Sequence, residues 1–208
     1  MDNAATTALK PQVFEKMKPY FMENYANPSA VYGFAQEAKA AVEDARDSIA
    51  GLIGARANEI YFTGGGSESD NWAIKAAAIA LKEKGNHIIT SKIEHHAILH
   101  TCQFLEKNGF EVTYLDVDSE GIVDLDQLEE SIREDTILVS CMMVNNEIGA
   151  IEPVEEIAKI IKAKNPNTIF HVDAIQAYGK LPIVPKNMGI DLLSTSGHKI
   201  HGPKGIGF

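Results

Sequence analysis

The feature that most constrains this chain is an alternation. Short β-branched runs take turns with segments of helical periodicity along most of its length. The runs are Ile60–Thr63, His87–Thr90, Glu111–Leu115, Thr136–Val144, Ile169–Val172 and Asp191–Ser194. Between them lie helical patterns. Ser67–Lys84 is apolar nearly all round, which predicts burial against a sheet. Ile98, Cys102 and Leu105 mark a second pattern, Leu125, Leu128 and Ile132 a third with Asp124 as its cap, and Val154, Ile157, Ile160 and Ile161 a fourth. Thr136–Val144 is continuously apolar, as expected of a strand covered on both faces. Two helices precede the alternation. Pro11 opens one that carries Val13, Met17, Tyr20 and Phe21, and Gly54 stops one that carries Ala38, Val42, Ala45, Ile49 and Leu52. The segment 24–33 between them reads as loop. The whole pattern predicts an α/β fold with a mostly parallel sheet flanked by helices.

Composition narrows the class. The 208 residues suffice for a sizeable core, and 45% hydrophobic with 23% charged residues is ordinary for a soluble globular protein. The 29 acidic and 19 basic residues give a net charge of −10, so nothing electrostatic draws the chain to nucleic acid or to an anionic membrane surface. No apolar run is long enough to span a bilayer, and the start lacks the basic and apolar regions of a signal peptide. With two cysteines, Cys102 and Cys141, there is neither a disulfide framework nor a CxxC metal knuckle. Both cysteines fall on core positions and read as small buried hydrophobes. A cytoplasmic location is expected.

In parallel sheets ligands bind at the carboxyl ends of the strands, so the residues just after each run carry the functional signal. After Ile60–Thr63 comes Gly64-Gly65-Gly66-Ser67, a glycine turn feeding a helix N-terminus. This suits a phosphate but also suits a merely tight turn. It lacks the lysine of a P-loop and the spacing of a dinucleotide fingerprint, and Ser67 with Asp70 fits a capping box. After His87–Thr90 come His95, His96 and, one turn on, His100. This pair-and-neighbour lacks a third ligand at clear metal spacing, so a histidine lying against a planar ligand is the alternative. After Thr136–Val144 come Asn145, Asn146 and Glu147, amides that turn chemistry alone would also explain. After Ile169–Val172 comes Asp173, with Gln176 one turn on. The carboxylate either caps backbone N–H groups or pairs with a charge. After Leu193 comes Ser194-Thr195-Ser196-Gly197-His198-Lys199, a lysine among small residues directly behind a buried strand. A desolvated lysine has a lowered pKa, and only the neutral amine attacks a carbonyl.

Together these strand ends ask for one ligand with a phosphate, a flat ring, a ring nitrogen wanting a carboxylate and a carbonyl wanting a lysine. Pyridoxal phosphate meets all four demands.

The segments Asn3-Ala4-Ala5-Thr6-Thr7, Asn27-Pro28-Ser29, Glu68-Ser69-Asp70-Asn71, Glu94-His95, Val144-Asn145-Asn146-Glu147-Ile148-Gly149, His171-Val172-Asp173-Ala174 and Ser196-Gly197-His198-Lys199 together resemble the NifS/IscS-type cysteine desulfurases. These are class V aminotransferase relatives of fold-type I, and the resemblance runs from residue 2 to the last residue. It implies that Lys199 holds the cofactor aldehyde, that His95 stacks on the ring and relays protons, and that Asp173 pairs with the pyridine nitrogen. It implies that Gln176 meets the ring hydroxyl, that Asn146 lies near the substrate carboxylate and the cofactor, and that Gly66, Ser67, Ser196 and His198 cradle the phosphate. The family more often has Ala-Thr where this chain has Gly66-Ser67, a change that keeps a backbone N–H and a hydroxyl.

The implied activity is removal of sulfur from L-cysteine, giving L-alanine and an enzyme persulfide for iron–sulfur cluster or thio-cofactor assembly. The implied partners are a second copy of the chain and an iron–sulfur scaffold as sulfur acceptor. Selenocysteine lysis, transamination and a non-catalytic cofactor-binding fragment are the alternatives. Residues 1–208 are expected to form the cofactor-binding large domain, with residues 1–30 as an N-terminal helix and loop within it. The family's small C-terminal domain and the loop bearing its nucleophilic cysteine are expected beyond Phe208.

Overall fold

The computed structural model describes residues 2–208. Five strands form one parallel sheet: β1 (His87–Ser91), β2 (Glu111–Leu115), β3 (Thr136–Met142), β4 (Ile169–Asp173) and β5 (Leu192–Ser194), in the order β2-β1-β3-β4-β5. The chain leaves β1 for β2 on one side and returns to β3 on the other. The sheet's switch point therefore lies between β1 and β3, where a ligand crevice opens in folds of this kind.

Helices cover both faces. α3 (Gly66–Leu81) and α4 (His96–Glu106) pack on one, burying Ile74, Ala78, Ile98, Cys102 and Leu105 against Ile88 and Leu138. α5 (Leu125–Ser131) and α6 (Val154–Lys164) pack on the other, with Leu128, Ile157 and Ile161 against Ile89, Val139, Phe170 and Val172. A one-turn helix α7 (Pro185–Met188) leads into β5. α1 (Pro11–Met22) starts at its proline, and α2 (Gly33–Ile53) ends at Gly54 in the left-handed conformation at φ 68°. Asp124 caps α5 by accepting the Gln127 N–H at 2.9 Å.

Four sequence expectations need correction. Residues 60–63 form no strand of the sheet; Thr63 makes an isolated antiparallel bridge with Gly207. α3 is not buried all round. Gly66, Asp70, Ile74 and Ala78, each four residues apart, face the sheet, while Trp72 and Ile79 stand 50% and 71% exposed. α2 buries Ala35, Ala38, Ala50 and Ile53; of the expected stripe Ala38 is buried, Val42, Ala45 and Ile49 are half-buried, and Leu52 stands 73% exposed. The Ser67–Asp70 capping box does not form: α3 has no side-chain cap, and Asp70 points into the protein. For α3, one strip of contact with the sheet overrides a pattern that suited a fuller burial.

Candidate cofactor-binding site

The carboxyl ends of the strands open into one cavity of about 1050 Å³. All nine residues singled out above line it: Gly66, Ser67, His95, Asn146, Asp173, Gln176, Ser196, His198 and Lys199. They arrive from four separate strand ends and from the turn that opens α3, which explains why no single stretch of sequence spells the site.

The turn Gly64–Gly66 opens α3. Gly65 sits at φ 143°, a backbone conformation that disfavours any side chain. A Cβ at Gly66 would fall 2.2 Å from Ile175 Cδ1, so the small residue here is matched by a branched one across the cavity wall. The Gly66 and Ser67 N–H groups, the first two of the helix, have no acceptor among the described residues. They leave donors and the positive end of the helix dipole facing the cavity, as an anion site requires. Glu68 turns its carboxylate to the Gly64 N–H at the edge of this turn.

His95 lies between β1 and α4, where its Nδ1 accepts the Ala97 N–H at 3.1 Å and so caps the helix. That bond leaves Nε2 to carry the proton of the neutral ring. Burial lowers its pKa, and the charges of His96 and Lys199 lower it further, so the ring is neutral near pH 7. His96 and His100 lie on the exposed side with ring centroids 5.3 Å apart, and no group of three or more His, Cys, Asp or Glu side chains is placed to hold a metal among the described residues.

The two amides after β3 separate by role. Asn145 is buried; its Oδ1 accepts the Glu147 and Ile148 N–H groups and its Nδ2 reaches the Ile93 carbonyl at 2.9 Å. It ties together the loops that flank the switch point. Asn146, half-buried, lines the cavity instead.

Asp173 ends β4, 5% exposed, with Oδ1 accepting the Ile175 N–H at 2.9 Å. Burial raises its pKa to about 6, partly offset by that N–H and by the Lys199 charge. Lys199 is half-buried, and burial, then the nearby Lys180 charge, lowers its pKa. Its amine is held by the carbonyls of Ala4 and Ala5, the latter at 2.9 Å. Gln176 Nε2 donates to the same Ala4 carbonyl at 2.8 Å.

This N-terminal strap is the part of the site that the strand-end rule missed. The Thr7 N–H and hydroxyl both bond the His198 carbonyl, Thr6 Oγ1 lies 3.0 Å from His198 Nδ1, and the His201 N–H donates to Thr7 Oγ1. Asp2, Ala4, Ala5 and Thr6 accordingly join the cavity wall. The signal available was the polar run Thr6-Thr7 beside two residues with small side chains, which says little without the fold.

A cavity with free N–H groups at a helix start, a neutral imidazole, a buried carboxylate and an amine of lowered pKa can hold a phosphorylated aromatic aldehyde. The phosphate, the ring faces, the ring nitrogen and the carbonyl each meet a matching group. Cys102 and Cys141 are 0% and 2% exposed, on opposite faces of the sheet, and burial pushes the Cys102 thiol up to about 12 and that of Cys141 well above its usual value. Neither is a thiolate near neutral pH.

Comparison with known proteins agrees with this geometry. The family model described as aminotransferase class-V matches residues 1–208. A cysteine desulfurase IscS from Clostridium botulinum is 58% identical over 207 residues, covering 100% of this chain and 52% of that protein. Among solved structures, a NifS-like protein superposes with a TM-score of 0.97 at 44% identity, covering 99% of this chain and 56% of the other. SspA in complex with cysteine gives a TM-score of 0.95 at 46% identity, covering 99% and 59%. The chain thus spans about half the length of the curated relatives it matches. No helix among the described residues is long and apolar enough to cross a membrane. Residues 1–208 belong to the class V aminotransferase family, of fold-type I, whose members work with pyridoxal phosphate.

Proposed function

We propose that the protein carrying this chain is a cysteine desulfurase, and that residues 1–208 supply most of its cofactor site. The observation that carries this reading is the convergence of Lys199, Asp173, His95 and the start of α3 on one cavity. The similarity to cysteine desulfurases over the whole chain supports it.

In this reading the Gly66 and Ser67 N–H groups, with the Ser67 and Ser196 hydroxyls and His198, hold the phosphate. Lys199 takes the cofactor aldehyde. Its lowered pKa keeps part of the amine neutral, the form that attacks a carbonyl. Asp173 holds a negative charge against the ring nitrogen, and Gln176 meets the ring hydroxyl. His95 covers one face of the ring as a neutral imidazole. Asn146 receives the carboxylate of L-cysteine. When bound, the cofactor supplies an electron sink for the charge left as the substrate loses its α-proton. Lys199, in its free-amine form, would remove that proton from Cα. The sulfur would then pass to a thiolate that is neither Cys102 nor Cys141, since both are buried and protonated: an S–S bond forms as the C–S bond breaks, and the electron pair left with the carbon skeleton takes up protons. L-Alanine is the product, and the persulfide goes on to an iron–sulfur scaffold or a thio-cofactor pathway.

We further place the enzyme in the cytoplasm as a homodimer; two free thiols suit a reducing compartment. The test is release of sulfide and alanine from L-cysteine by the full-length protein with pyridoxal phosphate under reducing conditions. Turnover is expected, and Lys199→Ala abolishes it. Activity on selenocysteine alone, or formation of a keto acid in place of alanine, would assign a different class V reaction.

A further inference from the structure

Asp70 sits one turn into α3, 0% exposed, and neither carboxyl oxygen meets a hydrogen-bond partner at ordinary geometry. Buried polar groups without partners are rare in folded proteins, and a carboxylate in that position is costly unless it takes up a proton. The wall it faces is polar. On β4, His171 is fully buried, with Nε2 3.8 Å from Asp70 Oδ1. Its Nδ1 lies 2.9 Å from Ser140 Oγ and its Nε2 2.9 Å from Ser194 Oγ. The Ser194 hydroxyl also lies near enough to Asp70 to favour its charged form, against burial, which opposes that form more strongly. Asp173, two residues after His171, shares its side of the strand and pairs in register with Ser194.

The charged groups around Asp70 oppose its ionisation. Burial is the largest effect, and a charge on the neighbouring Asp173 adds to it; Glu94, itself held protonated by burial, adds least. His171 offers no cation, because burial pushes its pKa down to about 3. Lys199 acts on Asp173, from the cavity side.

We propose that Asp70 is a positioning residue: a buried protonated carboxyl that orders the Ser194–His171–Ser140 chain and leaves Asp173 as the ionised member of the pair behind the cofactor's ring nitrogen. This rests on the cofactor reading above. The neutral acid donates its proton towards Ser194 Oγ; Ser194 then donates to His171 Nε2, and the ring's proton sits on Nδ1 and goes to Ser140. An ionised Asp70 reverses every donor and puts the ring proton on Nε2. It also sets a second negative charge beside Asp173, which would draw a proton onto that carboxylate and weaken its hold on the ring nitrogen.

The test uses the full-length protein and its Asp70→Asn and Asp70→Leu variants. Infrared difference spectra at neutral pH, wild type against Asp70→Asn, are expected to show the carbonyl stretch of one protonated carboxyl, with or without cofactor. Nitrogen NMR of His171 in the wild type is expected to show the proton on Nδ1. The asparagine variant, neutral and able to donate, is expected to keep pyridoxal phosphate affinity within about threefold, whereas leucine, which removes the donor, loses about tenfold. Absence of the carboxyl band, a proton on Nε2, or equal losses in the two variants would overturn the proposal. The infrared and NMR results need no cofactor, so they decide it even if Asp70→Leu fails to fold. Failure of the wild type to bind pyridoxal phosphate would instead overturn the proposed function.

Discussion

The two faces of the sheet are built from the same strands and do different work. On β4, Phe170 and Val172 point towards α6, while His171 and Asp173 point the other way. On β3, Val139 and Cys141 join the α6 side, and Leu138, Ser140 and Met142 the α3 side. The α6 face is apolar at Ile89, Leu115, Val139, Phe170 and Val172, with a polar edge where His87 and Thr113 alternate with Ile89 and Leu115 and bond one another. The α3 face starts apolar, at Ile88, Leu138 and Ile169, and turns polar near the strand ends, where Thr90, Ser140 and His171 lie level in register. A period of two lets one strand carry burial on one side and titratable groups on the other. The apolar face supplies the free energy that makes a buried acid cluster of Asp70, Glu94 and Asp173 tolerable on the opposite face.

Substitutions on the two faces should therefore separate stability from chemistry. The largest effect on folding falls on the α6 side. Phe170→Ala opens a cavity at a fully buried ring and is expected to cost about 3–5 kcal/mol in urea unfolding, with cofactor affinity little changed in the protein that stays folded. Loss of cofactor affinity out of proportion to stability would mean that the faces are not independent.

Glu94 comes next. Burial raises its pKa from 4.5 to about 8, so the folded state holds a proton that the unfolded state releases. Stability is then fully present below about pH 4.5 and falls as pH rises towards 8, by a few kcal/mol in all. Glu94→Gln keeps an oxygen for the Met142 N–H and the Ser91 hydroxyl, and is expected to flatten that slope in unfolding midpoints measured across the window. An unchanged slope would show that Glu94 is not the titrating group.

Asp173→Asn should do the reverse of Phe170→Ala. The amide retains an oxygen for the Ile175 N–H, and it removes the cost of ionising a buried acid between pH 3.8 and about 6, so stability above pH 6 is expected to hold or rise. Cofactor affinity is expected to fall about tenfold, because the amide cannot balance a charged ring nitrogen. Equilibrium titration with pyridoxal phosphate measures this, and unchanged affinity would reduce Asp173 to a backbone cap.

Much of this was legible because strand ends in a parallel sheet are predictable places. Lys199, Asp173, His95 and the Gly64–Gly66 turn each follow an apolar run, and the cavity collects them all. Long-range geometry was not legible. Ser67 and Asp70 satisfy the spacing of a capping box, yet the turn of α3 against β4 carries Asp70 inward to His171. The apolar Ile60–Thr63 run ends in a single bridge to Gly207, a pairing no local pattern encodes. Asn145 and Asn146 are adjacent and chemically identical, so only the fold assigns one to scaffolding and the other to the cavity. The strap that holds Lys199 comes from residues almost 200 positions away, with Ala4 and Ala5 contributing only their backbone.

The central claim is that the Lys199 amine, rather than that of Lys204, which also lines the cavity, reacts with the cofactor aldehyde. The direct measurement is borohydride reduction of the full-length protein loaded with pyridoxal phosphate, followed by peptide mapping of the pyridoxyl group. The account predicts a single modified lysine at position 199 and no stoichiometric trapping in Lys199→Ala. Stoichiometric trapping at Lys180 or Lys204 in the wild type, or an undiminished adduct in Lys199→Ala, would contradict it.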